Sequence, residues 1–244
     1  RSMRKLMDIH GIAMGNRPLL AYHDHNGKTM RPRLLEQLGT GKSVAYASEA
    51  GTPMIADPGF DLAREAAGKG HLVTTAPGPS AALAALTLAG LPTDRFLFAG
   101  FLPNTKTARR SQLQALGDVP ATLVFYESPK RLAAMLGDAA EVLGAERNAA
   151  YCRELTKKFE EVQRGTLAEL VERTGSLTLK GEVVVLIDRS ASGSVNQEDI
   201  VSALRRALQS MSVRDASETV AQAYGLPKRK IYQMALEFDK EEDR

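Results

Sequence analysis

The sequence reads Ser48-Glu49-Ala50-Gly51-Thr52-Pro53 directly after a short apolar segment, residues 43–47, and shortly before a predicted helix at residues 61–69. A loop of small residues between a buried strand and a helix is typical of α/β sheets, in which ligands bind at the carboxyl ends of the strands. Glycine lets a ligand approach the backbone, and proline makes the loop rigid. The loop, which continues into Asp57-Pro58-Gly59, therefore predicts a ligand site.

A second loop of the same kind follows further along the chain and reads Ala76-Pro77-Gly78-Pro79-Ser80-Ala81. Ser80 is suited to cap the helix that follows. Glycine and proline are also the usual residues of ordinary turns, so this loop alone is weak support for a ligand site. Neither loop has the glycine pattern of a P-loop or of a dinucleotide-binding turn, which disfavours a nucleoside triphosphate or NAD as the ligand.

Apolar periodicity predicts alternating strands and helices, and this alternation indicates an α/β protein. The predicted strands are residues 18–22, 43–47, 71–75, 95–99, 121–126, 149–153, 162–166 and 182–187. The predicted helices are a short one ending at Gly11 and residues 26–38, 61–69, 80–89, 107–116, 129–143, 197–211, 213–224 and 227–237. A boundary near Leu91-Pro92-Thr93 and a linker at residues 190–196 predict three domains, at residues 1–91, 92–189 and 197–244.

The composition is that of a soluble globular protein, with 43% apolar and 25% charged residues and a formal net charge of +3. The single cysteine, Cys152, excludes an internal disulfide and fits a cytoplasmic protein. No apolar run approaches the roughly 20 residues of a membrane-spanning helix, so no membrane association is predicted. His23 and His25 lack a third ligand nearby in the sequence, so no metal site is predicted.

At these loops the sequence resembles the tetrapyrrole methylase superfamily, the class III S-adenosylmethionine methyltransferases. It is most similar to one branch, the ribosomal RNA small subunit methyltransferase I family. Six strings found in order along nearly the whole chain accompany the loop at Ser48 and make the resemblance specific. They are His23-Asp24-His25-Asn26, residues 76–81, Gly100-Phe101-Leu102-Pro103, Tyr126-Glu127-Ser128-Pro129, Arg153-Glu154-Leu155-Thr156-Lys157 and Gly181-Glu182-Val183-Val184-Val185.

The resemblance implies two α/β lobes of the tetrapyrrole methylase type, followed by a C-terminal helical segment. It implies S-adenosylmethionine as cofactor and 2′-O-methylation of the ribose of a cytidine in small-subunit (16S) ribosomal RNA, either as free RNA or in the 30S particle. It also implies a homodimer. Two departures from the family pattern stand out: the strand and Pro-Ile-Gly-type loop that open such proteins are expected upstream of Arg1, and Glu49 stands where many relatives have aspartate.

The family motifs also indicate which residues contact the cofactor. Carried over position by position, they are Ser48, Glu49, Ala50, Gly51, Thr52, Ser80, Ala81, Tyr126, Glu127, Leu155, Gly181, Glu182 and Val183. A general base would assist attack by a weakly acidic ribose hydroxyl. Glu49, Glu127 and Glu154 are the candidates, and each is equally suited to bind the cofactor or the backbone.

Clusters of basic residues near these motifs are candidates for contacts with RNA phosphates. They are Lys106, Arg109, Arg110, Lys130, Arg131, Lys157 and Lys158. The alternative is that they form an ordinary solvated face.

In the C-terminal segment, the spacing of Ala221, Gly225 and Ile231 is typical of a helix-turn-helix. Lys228, Arg229 and Lys230 begin its second helix and add possible RNA contacts. The alternative is a helical bundle without a nucleic-acid role, since the segment from residue 190 onward is not basic overall.

Two other functions remain open. One is a tetrapyrrole or other small-molecule methyltransferase of the same fold, and the other is a non-catalytic RNA-binding module. The His23-to-Asn26 and Tyr126-to-Pro129 strings and the helical C-terminal segment favour the ribosomal branch over the first of these.

Overall fold

The computed structural model describes residues 2–175, 179–190, 197–224 and 226–242. The helices are α1 (Ser2–Ile9), α2 (Gly27–Gly39), α3 (Phe60–Gly68), α4 (Ala81–Ala89), α5 (Lys106–Leu116), α6 (Leu132–Leu143), α7 (Leu167–Thr174), α8 (Gln197–Leu208), α9 (Val213–Tyr224) and α10 (Lys228–Glu242). The strands are β1 (Phe96–Phe101), β2 (Thr122–Glu127), β3 (Asn148–Arg153), β4 (Glu161–Thr166) and β5 (Val183–Ile187). The predicted α/β class is confirmed, and the predicted strands from residue 95 onward form with small changes at their ends.

The strands form one sheet in the order β1-β2-β5-β3-β4. β1 and β2 are parallel, whereas β5 lies antiparallel between β2 and β3. Val183, the first residue of β5, therefore lies opposite both Glu127 and Arg153, the last residues of β2 and β3. As a result, the carboxyl ends of β1, β2 and β3 meet at one edge of the sheet.

The two faces of the sheet are covered by different helices. Val185 and Ile187 point into a core that also contains Leu113 of α5, Leu136 of α6 and Leu170 of α7. Alternate residues of β5 point the other way, into a core formed with α4, because successive side chains of a strand face opposite sides. α4 consists mainly of alanine and leucine, so it packs closely against β3 and β5.

A buried ion pair joins α5 to α6. Arg109, which is 6% exposed, donates to Asp138 over 2.7 Å, and Arg110 donates to the second oxygen of the same carboxylate over 2.7 Å. Burial alone would raise the pKa of Asp138, but the hydrogen bonds from Arg110 and Arg109 outweigh it and lower that pKa. The stability contributed by this cluster is therefore present above the pKa of an unfolded aspartate and is lost as the pH falls.

The segment before α4 differs from its prediction. Residues 18–22, 43–47 and 71–75 were expected to be strands, but they form no hydrogen-bonded ladder in the described residues. Val44 and Val73 are exposed there, and Leu72 is 92% exposed. Local apolar composition favours a strand, but only a neighbouring strand can satisfy its backbone hydrogen bonds, and sequence periodicity does not reveal that neighbour. The helices of this segment, α2 and α3, pack together through their own small core.

The C-terminal helices α8, α9 and α10 have a separate core. Ala221 and Ile231, predicted as helix-turn-helix positions, are both buried in it. Gly225, the predicted turn residue, lies outside the described residues, as does most of the predicted linker, residues 191–196. Among the helices that the structure describes, none has the length and apolar character needed to cross a bilayer. The domain boundaries stay a prediction.

Candidate active site

A cavity of about 450 Å³ opens at the edge of the sheet where the strand ends meet, a volume within the range of about 300–1,000 Å³ typical of small-molecule sites. One wall comes from the segment before β1, and the other comes from the ends of the strands. The residues that line it are Ala50, Gly51, Thr52, Ile55, Ala56, Asp57, Ser80, Ala81, Phe101, Tyr126, Glu127, Ser128, Pro129, Cys152, Leu155, Gly181, Glu182, Val183 and Val184.

The first wall is made by the two glycine–proline loops, which contact each other. The hydroxyl of Thr52 donates to the carbonyl of Pro79 over 3.0 Å. Gly51 has φ +69°, a left-handed conformation that glycine adopts readily because it has no Cβ atom to clash with the backbone. The two loops, separate in the sequence, thus form one continuous surface of small residues and backbone groups.

The backbone of this wall is strained next to the cavity. Met54 and Ala56 have φ values of +71° and +56°, which residues with a side chain rarely adopt. Gly59 has φ +123° and lies against the ring of Tyr46, whose hydroxyl donates to the carbonyl of Pro58 over 2.7 Å. Such strain costs on the order of 1–3 kcal/mol per residue and clusters at ligand sites in proteins.

The opposite wall is held by a lysine that joins two carboxylates. Lys157 lies 2.9 Å from the Glu154 carboxylate and 2.8 Å from that of Glu182. Glu154 also accepts a hydrogen bond of 3.1 Å from the backbone N–H of Glu182. The hydrogen bond from Lys157 lowers the pKa of Glu154, so this carboxylate is ionised, and its hydrogen bonds come from Lys157 and from the backbone of Glu182. Gly181 has φ +97°, and a Cβ atom there would collide with Glu154.

Glu127 is the carboxylate most enclosed at the cavity, with only 3% of its surface exposed. One oxygen accepts a hydrogen bond of 2.7 Å from the N–H of Ser128. The other oxygen lies 3.1 Å from the guanidinium of Arg131 but has no hydrogen bond of good geometry among the described residues. Burial raises the pKa of Glu127, and the N–H of Ser128 and the charges of Arg131 and Arg109 only partly oppose this. Glu127 is therefore a buried carboxylate of raised pKa, with one oxygen bonded by the N–H of Ser128 and the other beside the charge of Arg131.

Most of the predicted cofactor residues converge on the cavity. Ala50, Gly51, Thr52, Ser80, Ala81, Tyr126, Glu127, Leu155, Gly181, Glu182 and Val183 all line it. Ser48 and Glu49 do not: the Ser48 hydroxyl is buried without a hydrogen-bond partner in the described residues, and Glu49 is exposed. Of the three candidate bases, only Glu127 lines the cavity, since Glu154 is engaged with Lys157 and Glu182.

Several lining residues were not predicted. Asp57, Phe101, Ser128 and Pro129 belong to the quoted family strings, so their neighbours in sequence already pointed to them. Cys152 also lines the cavity, but it is buried, and burial raises the pKa of its thiol to about 11, which keeps the thiol neutral.

The structure divides the predicted RNA-binding cations into two groups. Arg109 is buried against Asp138, which corrects its assignment as a surface cation. Ion pairs or hydrogen bonds within the chain also hold Arg110, Arg131, Lys157 and Lys228. Lys106, Lys130, Lys158, Arg229 and Lys230 are exposed and take part in no ion pair among the described residues.

The two histidines considered as metal ligands, His23 and His25, lie with ring centres 6.0 Å apart. Among the residues that the structure describes, no group of three or more His, Cys, Asp or Glu side chains could hold a metal ion.

Comparison with known proteins places these features in a family. Residues 8–171 match the family model described as Tetrapyrrole (Corrin/Porphyrin) Methylases, and residues 195–238 match that of the RsmI C-terminal HTH domain. A Mesorhizobium japonicum protein named ribosomal RNA small subunit methyltransferase I is 45% identical over 97% of this chain and 80% of its own length. A protein of the same name from Xylella fastidiosa (strain Temecula1) is 42% identical over 95% of this chain and 85% of its own length. A crystal structure of diphthine synthase shares the fold, with TM-score 0.56 and 18% identity over 77% of this chain and 74% of that one.

Replacement of Gly181 by alanine tests the second wall. The new methyl group would meet Glu154 in a backbone conformation that disfavours a side chain, so we expect Gly181→Ala to displace Glu154 and destabilise the fold by about 1–3 kcal/mol. Binding of S-adenosylmethionine, measured by calorimetry, should weaken by about tenfold or more, which corresponds to about 1.4 kcal/mol.

The matched control is Gly137→Ala. Gly137 lies inside α6, where an added Cβ would have no atom within 4 Å, so cofactor binding should be unchanged. Equal cofactor affinity in the two variants would mean that Gly181 does not shape the site.

Proposed function

This chain belongs to the tetrapyrrole methylase family, within its ribosomal RNA small subunit methyltransferase I branch, and from that premise we propose that it transfers a methyl group from S-adenosylmethionine to the ribose 2′-oxygen of a cytidine in 16S ribosomal RNA. The observation that carries the proposal is the convergence of distant segments on one cavity. Loops at Gly51 and Ser80, the end of β2 at Glu127 and the turn at Gly181, far apart in sequence, all line it.

The cavity fits S-adenosylmethionine by its chemistry. Its walls are small residues and backbone groups, with glycines in left-handed conformations at Gly51 and Gly181 that let a ligand approach closely. Ser80 and Ala81 form the N-terminus of α4, where unpaired backbone N–H groups favour a carboxylate such as that of the cofactor's methionine part. When bound, the cofactor supplies a methyl group made electrophilic by the sulfonium.

We propose that Glu127 is the general base. A ribose hydroxyl is a weak acid, so a nearby acceptor of raised basicity assists its attack on the methyl group. Glu127 lines the cavity and has its pKa raised by burial. Arg131, at 3.1 Å, keeps the carboxylate oriented without forming a hydrogen bond to its second oxygen. The loop at Glu154 and the turn at Gly181 would align the reactants rather than move a proton.

The principal alternative is methylation of a tetrapyrrole or another small molecule, because the family model that matches residues 8–171 is described as Tetrapyrrole (Corrin/Porphyrin) Methylases. The segment α8–α10, with its own core, matches the C-terminal domain named for the ribosomal branch. The relatives at 45% and 42% identity also carry the ribosomal name over most of the chain. These observations favour RNA over a tetrapyrrole. Because the proposed substrate is ribosomal RNA, we propose the cytoplasm as the location; the homodimer stays a prediction.

A methyl-transfer assay tests the function directly. The full-length protein should transfer label from S-adenosylmethionine to isolated small ribosomal subunits or to 16S RNA, and nuclease digestion should recover the label as 2′-O-methylcytidine. Transfer to uroporphyrinogen in place of RNA would support the alternative. Binding of RNA without transfer to either substrate would support a non-catalytic module.

Replacement of Glu127 by glutamine tests the base. Because general bases contribute about 10²–10⁴-fold, kcat should fall by about 100-fold or more, while cofactor affinity changes little. The pH profile gives a second readout. The base acts when ionised, so kcat of the unaltered protein should rise with pH through a pKa above that of ordinary glutamate, and this limb should vanish in Glu127→Gln. Glu49→Gln is the control and should retain both the rate and the profile, since Glu49 is exposed outside the cavity. An unchanged kcat in Glu127→Gln would contradict the assignment.

The exposed cations Lys106, Lys130 and Lys158 should contact RNA phosphates. Their combined replacement by glutamine should weaken RNA binding. The slope of the logarithm of the binding constant against the logarithm of the salt concentration should become less steep by roughly 0.7–0.9 for each phosphate that is no longer neutralised. The control is Lys69→Gln: Lys69 is also exposed but follows the last turn of α3, away from the end that adjoins the cavity loop. A salt dependence equal to that of the unaltered protein would show that the three lysines form only a solvated surface.

A further inference from the structure

Phe101 has an unusual position for a large apolar side chain. It is the last residue of β1 and lines the cavity, yet 54% of its surface is exposed. Its ring packs edge-on against Tyr126, with ring centres 5.8 Å apart. Tyr126 is in turn supported by Phe98, at 4.8 Å. The three rings are thus in contact one after another, and the outermost ring, that of Phe101, remains largely exposed to solvent.

An irregularity in β1 places the ring there. Leu97 and Ala99 pack against the core under α5, α6 and α7, whereas Phe98 packs against the opposite core. Strict alternation would put Phe101 on the side of Leu97 and Ala99. Instead the pairing with β2 shifts by one residue between Phe98 and Gly100, and Gly100 has φ +65°. This bulge turns Phe101 to the cavity side, next to Tyr126. Bulges commonly re-aim a side chain next to an active site.

The segment after the ring is firmly held. Leu102 is buried in the core. The guanidinium of Arg131 donates to the carbonyl of Leu102 over 2.6 Å and to that of Pro103 over 3.2 Å, and it also bonds the side chain of Asn104. The same guanidinium lies 3.1 Å from Glu127. The exposed ring and the carboxylate are thus fixed relative to each other before any ligand binds.

We propose that Phe101 is a positioning residue that stacks against the base of the nucleotide to be methylated. The proposal rests on the function proposed above and names how its RNA substrate is held. Proteins that bind unpaired nucleotides stack their bases on exposed aromatic rings. In the parallel pair of β1 and β2, Phe101 lies opposite Tyr126, and Tyr126 immediately precedes Glu127 in the sequence. With strands about 4.8 Å apart, a base on this ring leaves its ribose near the carboxylate.

The cofactor's adenine is the competing occupant of the ring, and the structure favours the RNA base. The small-residue loops suited to the cofactor, at Gly51 and Ser80, come from the opposite wall of the cavity. Phe101, in contrast, is half open to solvent, and the chain continues from it to the exposed Lys106 at the start of α5. Aromatic and basic groups together are the combination that single-stranded RNA requires.

The test compares Phe101→Ala, Phe101→Trp and Phe96→Ala in the full-length protein. Phe96 is the control because it begins the same strand, is 44% exposed and does not line the cavity. With 16S RNA or small subunits as substrate, Phe101→Ala should lower kcat/KM about tenfold to hundredfold, the range expected for loss of one base stack. Phe101→Trp should retain most of the activity. Phe96→Ala should behave as the unaltered protein, and calorimetry should give all three variants the unaltered affinity for S-adenosylmethionine.

The outcomes separate the possibilities. An unchanged kcat/KM in Phe101→Ala would overturn the stacking role while leaving the proposed function intact. Weakened cofactor binding with a normal KM for RNA would assign the ring to adenine and would also overturn it. Failure of the unaltered protein to methylate RNA would overturn both proposals. An equal loss of kcat/KM in Phe101→Trp and Phe101→Ala would show that the ring stabilises the local packing of the protein and does not stack on an RNA base.

Discussion

The antiparallel insertion of β5 between β2 and β3 is the constraint on which the site depends. It sets the start of β5 beside the ends of β2 and β3, so Glu127, Arg153 and Val183 share one edge of the sheet. The apolar residues Val183–Ile187 are buried on both faces, which fixes the strand in this central place. The turn at Gly181 and the loop at Glu154 then face each other across β5 and β3. Lys157 joins them, and the second wall of the cavity follows from that junction.

Some groups around the cavity hold the fold in place, and others are left available for chemistry. Arg131 bonds the chain after β1 and neutralises part of the charge near Glu127, yet it leaves one carboxylate oxygen without a hydrogen bond. Strained backbone occurs on both walls, at Met54 and Ala56 on the first and at Glu154 and Thr156 on the second. A stable fold tolerates such local costs when the surrounding packing holds them in place. The buried pair of Arg109 with Asp138 joins α5 to α6.

Apolar periodicity predicted the strands from β1 to β5, because it is a local signal, whereas most of the cavity lining was implied by the resemblance to the methyltransferase family. It failed at residues 18–22, 43–47 and 71–75, because a strand depends on a hydrogen-bonding neighbour as well as on composition. It also could not separate Arg109, buried against Asp138, from Lys106, exposed three residues earlier, because the partner of Arg109 lies on a distant helix. The re-aimed ring of Phe101 was missed for a similar reason, since a bulge is visible only in the pairing of two strands.

The proposed function requires that one cavity holds the methyl donor with its sulfur directed toward Glu127. A structure of the full-length protein with S-adenosylhomocysteine would show whether it does. We expect the ligand to lie between Gly51 and Ser80 on one side and Leu155 and Gly181 on the other, with its sulfur directed toward the Glu127 carboxylate. A ligand bound elsewhere, or one whose sulfur faces away from Glu127, would rule out the proposed site.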